Sequence, residues 1–199
     1  FDVSAVCAIV EYSSRTAERQ DKLSTRFNHL AEILCEAVTW AKLEGAELVT
    51  AAHIQKTIYE KEQRMKLYEE KLDEMLEENV IMIDTEGAEI GQINGLAVLD
   101  MGNYAFGNPS RITATTYVGK SGIVNIEKEA RLSGQTHDKG VQIITGFLGQ
   151  TYAQNFPLSL SCRVCFEQNY NGIDGDSASS TELYCILSSL AELPIRQDL

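Results

Sequence analysis

The sequence predicts an all-helical region followed by a mixed α/β (α+β) domain. Three observations carry this reading. Residues 1–79 hold no proline and a single glycine, Gly45, while every other glycine and every proline lies further along the chain. Apolar residues before Asn79 recur at three- and four-residue spacing, the period of a helix. Beyond Val80 short apolar runs alternate with polar residues between glycine-rich stretches, which reads as strands mixed with helices.

In the first region, Leu30, Ile33, Leu34, Ala37, Val38 and Ala41 form one apolar helical stripe. Gly45 is placed to cap its C-terminus. Thr50 is placed as the N-cap of the next helix, which Ile54, Ile58, Met65, Leu72, Met75 and Leu76 carry on. From Glu60 to Glu78 lysine and glutamate dominate. That run reads as a coiled coil or, more plainly, as a solvated linker helix between two domains.

In the second region, Val80–Ile83 is expected as a first strand and Gly95–Leu99 as another. Arg111–Val118 and Ile123–Glu129 are expected to form a hairpin around Gly119-Lys120-Ser121-Gly122. Asp138 is expected to cap a helix bearing Val141, Ile144, Leu148 and Tyr152 on one face, with Gly146 and Gly149 weakening it. A half-buried strand follows over Leu158–Phe166. After a glycine-rich loop, Ser179-Ser180-Thr181-Glu182 has the pattern of a capping box, with Leu183, Ile186, Leu187 and Leu190 behind it and Pro194 as a stop.

Composition narrows the function. With 44% hydrophobic and 23% charged residues the chain has the makeup of a globular protein able to bury a core. Its formal net charge of -12 argues against nucleic-acid binding, which needs a basic footprint. No run of about 18 apolar residues is present, so no membrane-spanning helix is expected. No secretory signal is visible, and the five cysteines are odd and scattered, which suggests reduced thiols in a cytoplasmic setting. The chain opens on Phe1 in mid-pattern and is expected to be a piece of a longer protein.

Several motif-like features carry little chemistry. Cys162 and Cys165 form a C-x-x-C, but on a strand they point to opposite faces and cannot share a metal or a disulfide. Gly119-Lys120-Ser121 resembles the end of a phosphate loop, yet Ala114 stands where the first glycine is needed and strand-like residues flank both sides. His29 and His53 lack partners at metal spacing, so no metal site is expected. His137 lies in a polar, turn-rich stretch and either lines a cleft or sits in a solvated loop.

The stretch Gly175-Asp176-Ser177-Ala178-Ser179 is the candidate site. Ser177 precedes or begins a helix, whose N-terminus offers unpaired amides and positive potential to a developing oxyanion. Gly172 and Gly175 let the backbone approach a substrate. The G-x-S-x-G elbow is not matched, and no histidine follows His137. A lysine base, its pKa lowered by burial, would need no histidine.

Asp174-Gly175-Asp176-Ser177-Ala178-Ser179, preceded by Phe166-Glu167-Gln168-Asn169-Tyr170, resembles the nucleophile segment of Lon-type proteases, in the branch with GDSAS rather than GPSAG. Residues 107–113 (GNPSRIT), 124–130 (VNIEKEA), 132–140 (LSGQTHDKG) and the terminal LPIRQDL support the likeness. Residues 1–79 resemble the small helical (lid) subdomain of an AAA+ ATPase with its linker helix, and residues 80–199 the proteolytic domain. The resemblance implies an ATP-dependent serine endopeptidase with Ser177 as nucleophile and a lysine as base. It places Asp174 beside that dyad, where its alternative role is that of a turn or capping residue. Arg26 is placed like the family's second-sensor arginine, which contacts nucleotide, or is a surface arginine.

The family's lysine falls beyond Leu199, and nothing places Lys139 beside Ser177 as a substitute. The chain as given is therefore expected to be inactive. ATP and Mg belong to the parent protein, because the phosphate loop and the Mg-binding acids are absent here. Protein or unfolded polypeptide substrates and a homo-oligomeric ring, usually a hexamer, are the implied partners. The competing reading is a non-catalytic oligomerisation or substrate-holding module on the same scaffold. A weaker third reading is a DNA binder, which the net charge opposes.

Overall fold

A computed structural model describes residues 1–102 and 104–198. Its contacts divide the chain into two compact units, Phe1–Glu70 and Lys71–Leu199. The division falls inside a helix, some residues before the position read from the change of texture near Val80.

The first unit is built on α1 (Val3–Thr16), α2 (Phe27–Leu43) and α3 (Ala51–Met65). Asp2 caps α1 by accepting the Ala5 N–H at 2.8 Å. The chain leaves α2 through Gly45 at φ +70, where the Ala46 N–H reaches the Ala41 carbonyl and the Gly45 N–H reaches that of Lys42. This pairing is a Schellman motif, so the glycine stands where a left-handed residue is required. Thr50 caps α3 together with His53, whose Nδ1 accepts the Thr50 N–H at 2.9 Å. His53 is thus a buried structural residue, its Nε2 3.2 Å from Glu44. Ala5, Ile33, Ala37, Ala41, Val49 and Ile54 form the core. Ala37 and Ala41 are small, which lets the helices approach closely. The expected continuous helix from Thr50 breaks at Lys66, and α4 (Leu67–Glu77) begins after it.

The second unit holds a four-stranded sheet in the order β2-β3-β5-β4: β2 (Gln92–Asp100), β3 (Ala105–Val118), β4 (Gly122–Asn125) and β5 (Leu160–Phe166). β2–β3 and β3–β5 are antiparallel, and β4–β5 is parallel. Helices α5 (Ile126–Glu129), α6 (Gln135–Tyr152) and α7 (Ser179–Ala191) complete it. A small ladder pairs β1 (Ala88–Glu89) with β6 (Ile195–Arg196). The core gathers Ile112, Ile144, Leu148, Leu160, Cys162, Val164, Phe166, Cys185 and Ile186.

Four expectations change here. Val80–Ile83 is not a strand, because the side-chain amide of Gln168 takes its backbone groups: Val80 O accepts and the Met82 N–H donates. Residues 119–122 do not close a hairpin. β5 lies between β3 and β4, and the connection crosses it tightly enough that a Cβ on Gly119 would sit 2.0 Å from Ser161 Oγ. The end of the expected second hairpin strand, Ile126–Glu129, is helical and capped by Asn125, which accepts the Lys128 N–H. Asp138 does not cap α6. The helix starts at Gln135, and Asp138 accepts from the Ser133 hydroxyl at 2.6 Å inside its first turn. Gly146 and Gly149 do not interrupt α6.

Cys162 is buried and Cys165 half-buried on β5, three residues apart and so on opposite faces. Burial pushes the Cys162 and Cys185 thiols up to about 12. On α7 the capping box does not form: Ala178 occupies the N-cap position with helical backbone angles, and Glu182 turns inward. The buried face is Glu182, Cys185, Ile186 and Ser188, so the apolar stripe expected at Leu183, Ile186, Leu187 and Leu190 is rotated about one residue.

Candidate active site

The site is the turn between β5 and α7. Its first half is fixed by backbone pairing: Ile173 bonds Leu132 O through its N–H and accepts the Gly134 N–H, both at 2.8 Å. Gly172 and Gly175 have φ of +86 and +100, a region where side chains are strained. The two glycines therefore serve the path of the turn as well as any close approach by a ligand.

Asp174 follows at once. Its Oδ1 accepts the N–H groups of Thr136 and His137, each at 3.1 Å, and that of Gly175 at 2.8 Å. Asp174 thus supplies from across the turn the side-chain cap that Gly134, at the α6 N-cap, lacks. The Gly175, His137 and Thr136 amides together hold its carboxyl below the usual carboxylate range. Gly134 makes this possible, because a Cβ there would lie 2.2 Å from Asp174 Cγ.

Ser177 is exposed in the turn, two residues before α7 begins. The Ser179 N–H closes the turn on Asp176 O at 3.1 Å. Gly140 on α6 faces it: a Cβ there would meet Ser179 Oγ at 2.2 Å and the Asp176 backbone at 3.8 Å. The nucleophile candidate therefore stands at the positive end of α7, over the first turns of α6.

Ser177 and Asp174 share this turn. Lys139 is exposed on α6, and none of the described hydrogen bonds joins it to Ser177. Arg26 lies in the other unit, exposed, at the N-cap position of α2. Gly119-Lys120-Ser121 is no phosphate cradle. The Gly119 N–H is given to Ser159 O, and the Ser121 N–H to Ser161 Oγ. The described residues therefore do not fit a nucleotide's phosphates at the one loop that resembles a binding motif. Among them no group of three His, Cys, Asp or Glu residues can hold a metal ion, and no helix is long and apolar enough to cross a membrane.

Sequence reasoning missed a buried polar cluster behind the turn: Asn125, Glu127, His137 and Glu182, each 3% exposed or less. His137 is neither in a cleft nor in a solvated loop, because α6 carries it into the interior. Its ring meets Phe166 edge-on at 5.6 Å. Its Nε2 lies 3.4 Å from Glu182 Oε1 and 3.2 Å from Asn125 Nδ2. Asn125 donates to the same Glu182 oxygen at 3.0 Å, and Glu127 Oε1 accepts the Phe166 N–H at 2.7 Å. Burial pushes the His137 pKa down, but Glu182, Glu127 and Asp138 outweigh it and hold it above the ordinary 6.5. The only sequence signal for Glu182 was its place in the capping-box pattern, which concealed it.

Residues 1–64 match the family described as archaeal LonB, AAA+ ATPase LID domain. A putative Lon protease homolog from Escherichia coli (strain K12) is 41% identical over 135 residues, covering 67% of this chain and 23% of that protein. An archaeal Lon protease from Pyrococcus abyssi is 29% identical over 100% of this chain and 19% of its own length. Another, from Archaeoglobus fulgidus, is 25% identical over 99% of this chain and 31% of its own. The chain spans about a quarter of the length of these curated relatives.

Proposed function

The chain is a LonB-like segment of the Lon protease family, and from that premise we propose that Ser177 is the nucleophile of an ATP-dependent serine endopeptidase. The observation that carries this is the placement of Ser177: exposed, on a turn pinned by Asp174, at the N-terminal end of α7. Ser177 Oγ attacks a peptide carbonyl while a lysine amine takes its proton. The first-turn amides and the positive end of α7 stabilise the oxyanion. The acyl-enzyme forms as the amine leaves with the proton returned by the lysine, and water then releases the acid.

The base lysine lies beyond Leu199 in the parent protein, so the 199 residues alone are inactive. Asp174 serves the site by anchoring the turn to α6 and by placing a negative charge beside that lysine. The working enzyme acts on unfolded polypeptides in the cytoplasm as a homo-oligomeric ring. Residues 1–79 form its lid subdomain and linker helix, and residues 80–199 belong to its protease domain. ATP binds elsewhere in the parent, with Arg26 reaching the nucleotide from the lid.

A fluorogenic peptide assay tests this. The parent protein should hydrolyse the peptide, and Ser177→Ala should lower kcat on the order of a thousandfold or more. The 199-residue chain should show no turnover. Equal rates for wild type and Ser177→Ala would refute the nucleophile. No turnover by a parent that carries the lysine would favour the non-catalytic scaffold.

A further inference from the structure

We infer that His137 is the positioning residue of the nucleophile turn, clamping the segment that carries Ser177 at both ends. The inference rests on Ser177 being the nucleophile. Its geometry runs through one residue on α6. The His137 N–H holds Asp174 Oδ1 at 3.1 Å, where the turn begins. The His137 ring holds Glu182, in the first turns of α7, where the turn ends. Ser177 lies between them, exposed, with no core packing of its own to fix it. A buried polar cluster is a costly way to join two helices, because each unpartnered atom carries a desolvation penalty. Here His137 Nδ1, Glu127 Oε2 and Glu182 Oε2 are all buried without a hydrogen-bond partner. The cluster is therefore a poor device for stability and a good one for fixing direction.

The proton on Nε2 selects the partner. With it, the ring donates to Glu182 Oε1. When the ring is neutral it either keeps that proton, and the contact to Glu182 is no longer charge-assisted, or keeps the one on Nδ1, and Nε2 then accepts from Asn125 Nδ2. The charged groups facing the ring are Glu182 on α7, Glu127 on α5, and Asp138 on its own helix, with Asp174 acting on it from the turn. All are acids, so they favour the protonated ring and the clamp to Glu182. Losing the ring's charge loosens the hold on the first turn of α7 and with it the direction of Ser177 Oγ. A misplacement of about 1 Å is enough to cost on the order of a hundredfold in rate.

Two experiments test the clamp. In the wild-type 199-residue chain, NMR follows the His137 imidazole and the amides of Gly175, Ser177 and Ser179 from about pH 5 to about pH 9. The clamp predicts that the amides move with the His137 midpoint, above 6.5. Amides that stay still while His137 titrates would overturn it, and this readout needs no variant to fold. In the active parent protein, His137→Leu should lower kcat about 10- to 100-fold with KM within about threefold. His137→Gln, which keeps a donor for Glu182, should recover part of the loss. A folded His137→Leu with unchanged kcat would sink the inference while leaving Ser177 intact. Activity retained by Ser177→Ala would instead sink the reading it rests on.

Discussion

Replacing Gly134 with alanine isolates the contact that holds the candidate site together. Gly134 has φ -82 and ψ 167, which any L-residue adopts, so alanine brings no backbone strain. The whole effect comes from the added methyl. It would lie 2.2 Å from Asp174 Cγ, 2.4 Å from Oδ1 and 2.6 Å from Cβ. Rotating the carboxylate does not relieve a clash with Cβ, so the backbone of the turn must move. Overpacking of this kind costs about 1–3 kcal/mol, or roughly 5- to 150-fold in the unfolding equilibrium. Urea denaturation followed by circular dichroism reads this cost. With a slope of about 2 kcal/mol/M, the midpoint should fall by about 0.5–1.5 M. Hydrogen exchange at the Thr136 and His137 amides should accelerate, because Asp174 no longer accepts from them. The cycle partner is Asp174→Gly, which removes the offending Cβ as well as the carboxylate. In that background Gly134→Ala should cost little. The same loss in both backgrounds would show that the cost does not arise at Asp174, and the account of the pinned turn would fail.

Other predictions follow from the packing and the titrating groups. Ile186, fully buried on α7 beneath the sheet, should cost about 2–5 kcal/mol when cut to alanine, read by the same denaturation. A thiol-reactive dye should label Cys7 and Cys35 quickly in the native protein. Cys162 and Cys185, buried and pushed up to about 12, should react only on unfolding. Because the folded His137 pKa is raised above 6.5, its contribution to stability is complete below 6.5 and is lost as pH rises through the folded value. The midpoint of thermal unfolding should therefore fall with rising pH across that window, and in His137→Gln that slope should vanish. Asp174 works the other way: its contribution is present above 3.8 and lost as pH falls through its lowered folded value.

Much of this was legible in the sequence, where local rules decide the structure. The helical stripe of α2, the Gly45 exit and the Thr50 cap all depend on neighbours within a turn, and all stand where the pattern put them. The β-alternation of Leu158–Phe166 was equally plain, although β5 begins only at Leu160. What failed depended on distant partners. Gly119–Gly122 has the composition of a hairpin turn, but β3 pairs with β5 from Ile112 to Val118, and that pairing excludes β4 from β3's edge. Asp138 and the Ser179–Glu182 box are good local caps. They lost to Asp174, which caps α6 from across a loop, and to His137, which draws Glu182 inside. For the site, Ser177 and Asp174 were visible through their motif, but the work Asp174 does as a cap was not. His137 read as lining a cleft or lying in a solvated loop because its neighbours in sequence are polar, while its neighbours in space are Phe166 and a buried carboxylate.

The most direct test of Ser177 as nucleophile is covalent labelling. The parent protein would be treated with a fluorophosphonate, digested, and mapped by mass spectrometry. The account predicts one adduct, on the peptide containing Ser177, lost in Ser177→Ala and lost together with peptidase activity. An active parent that carries its adduct on another residue, or that keeps its activity once Ser177 is modified, would contradict it.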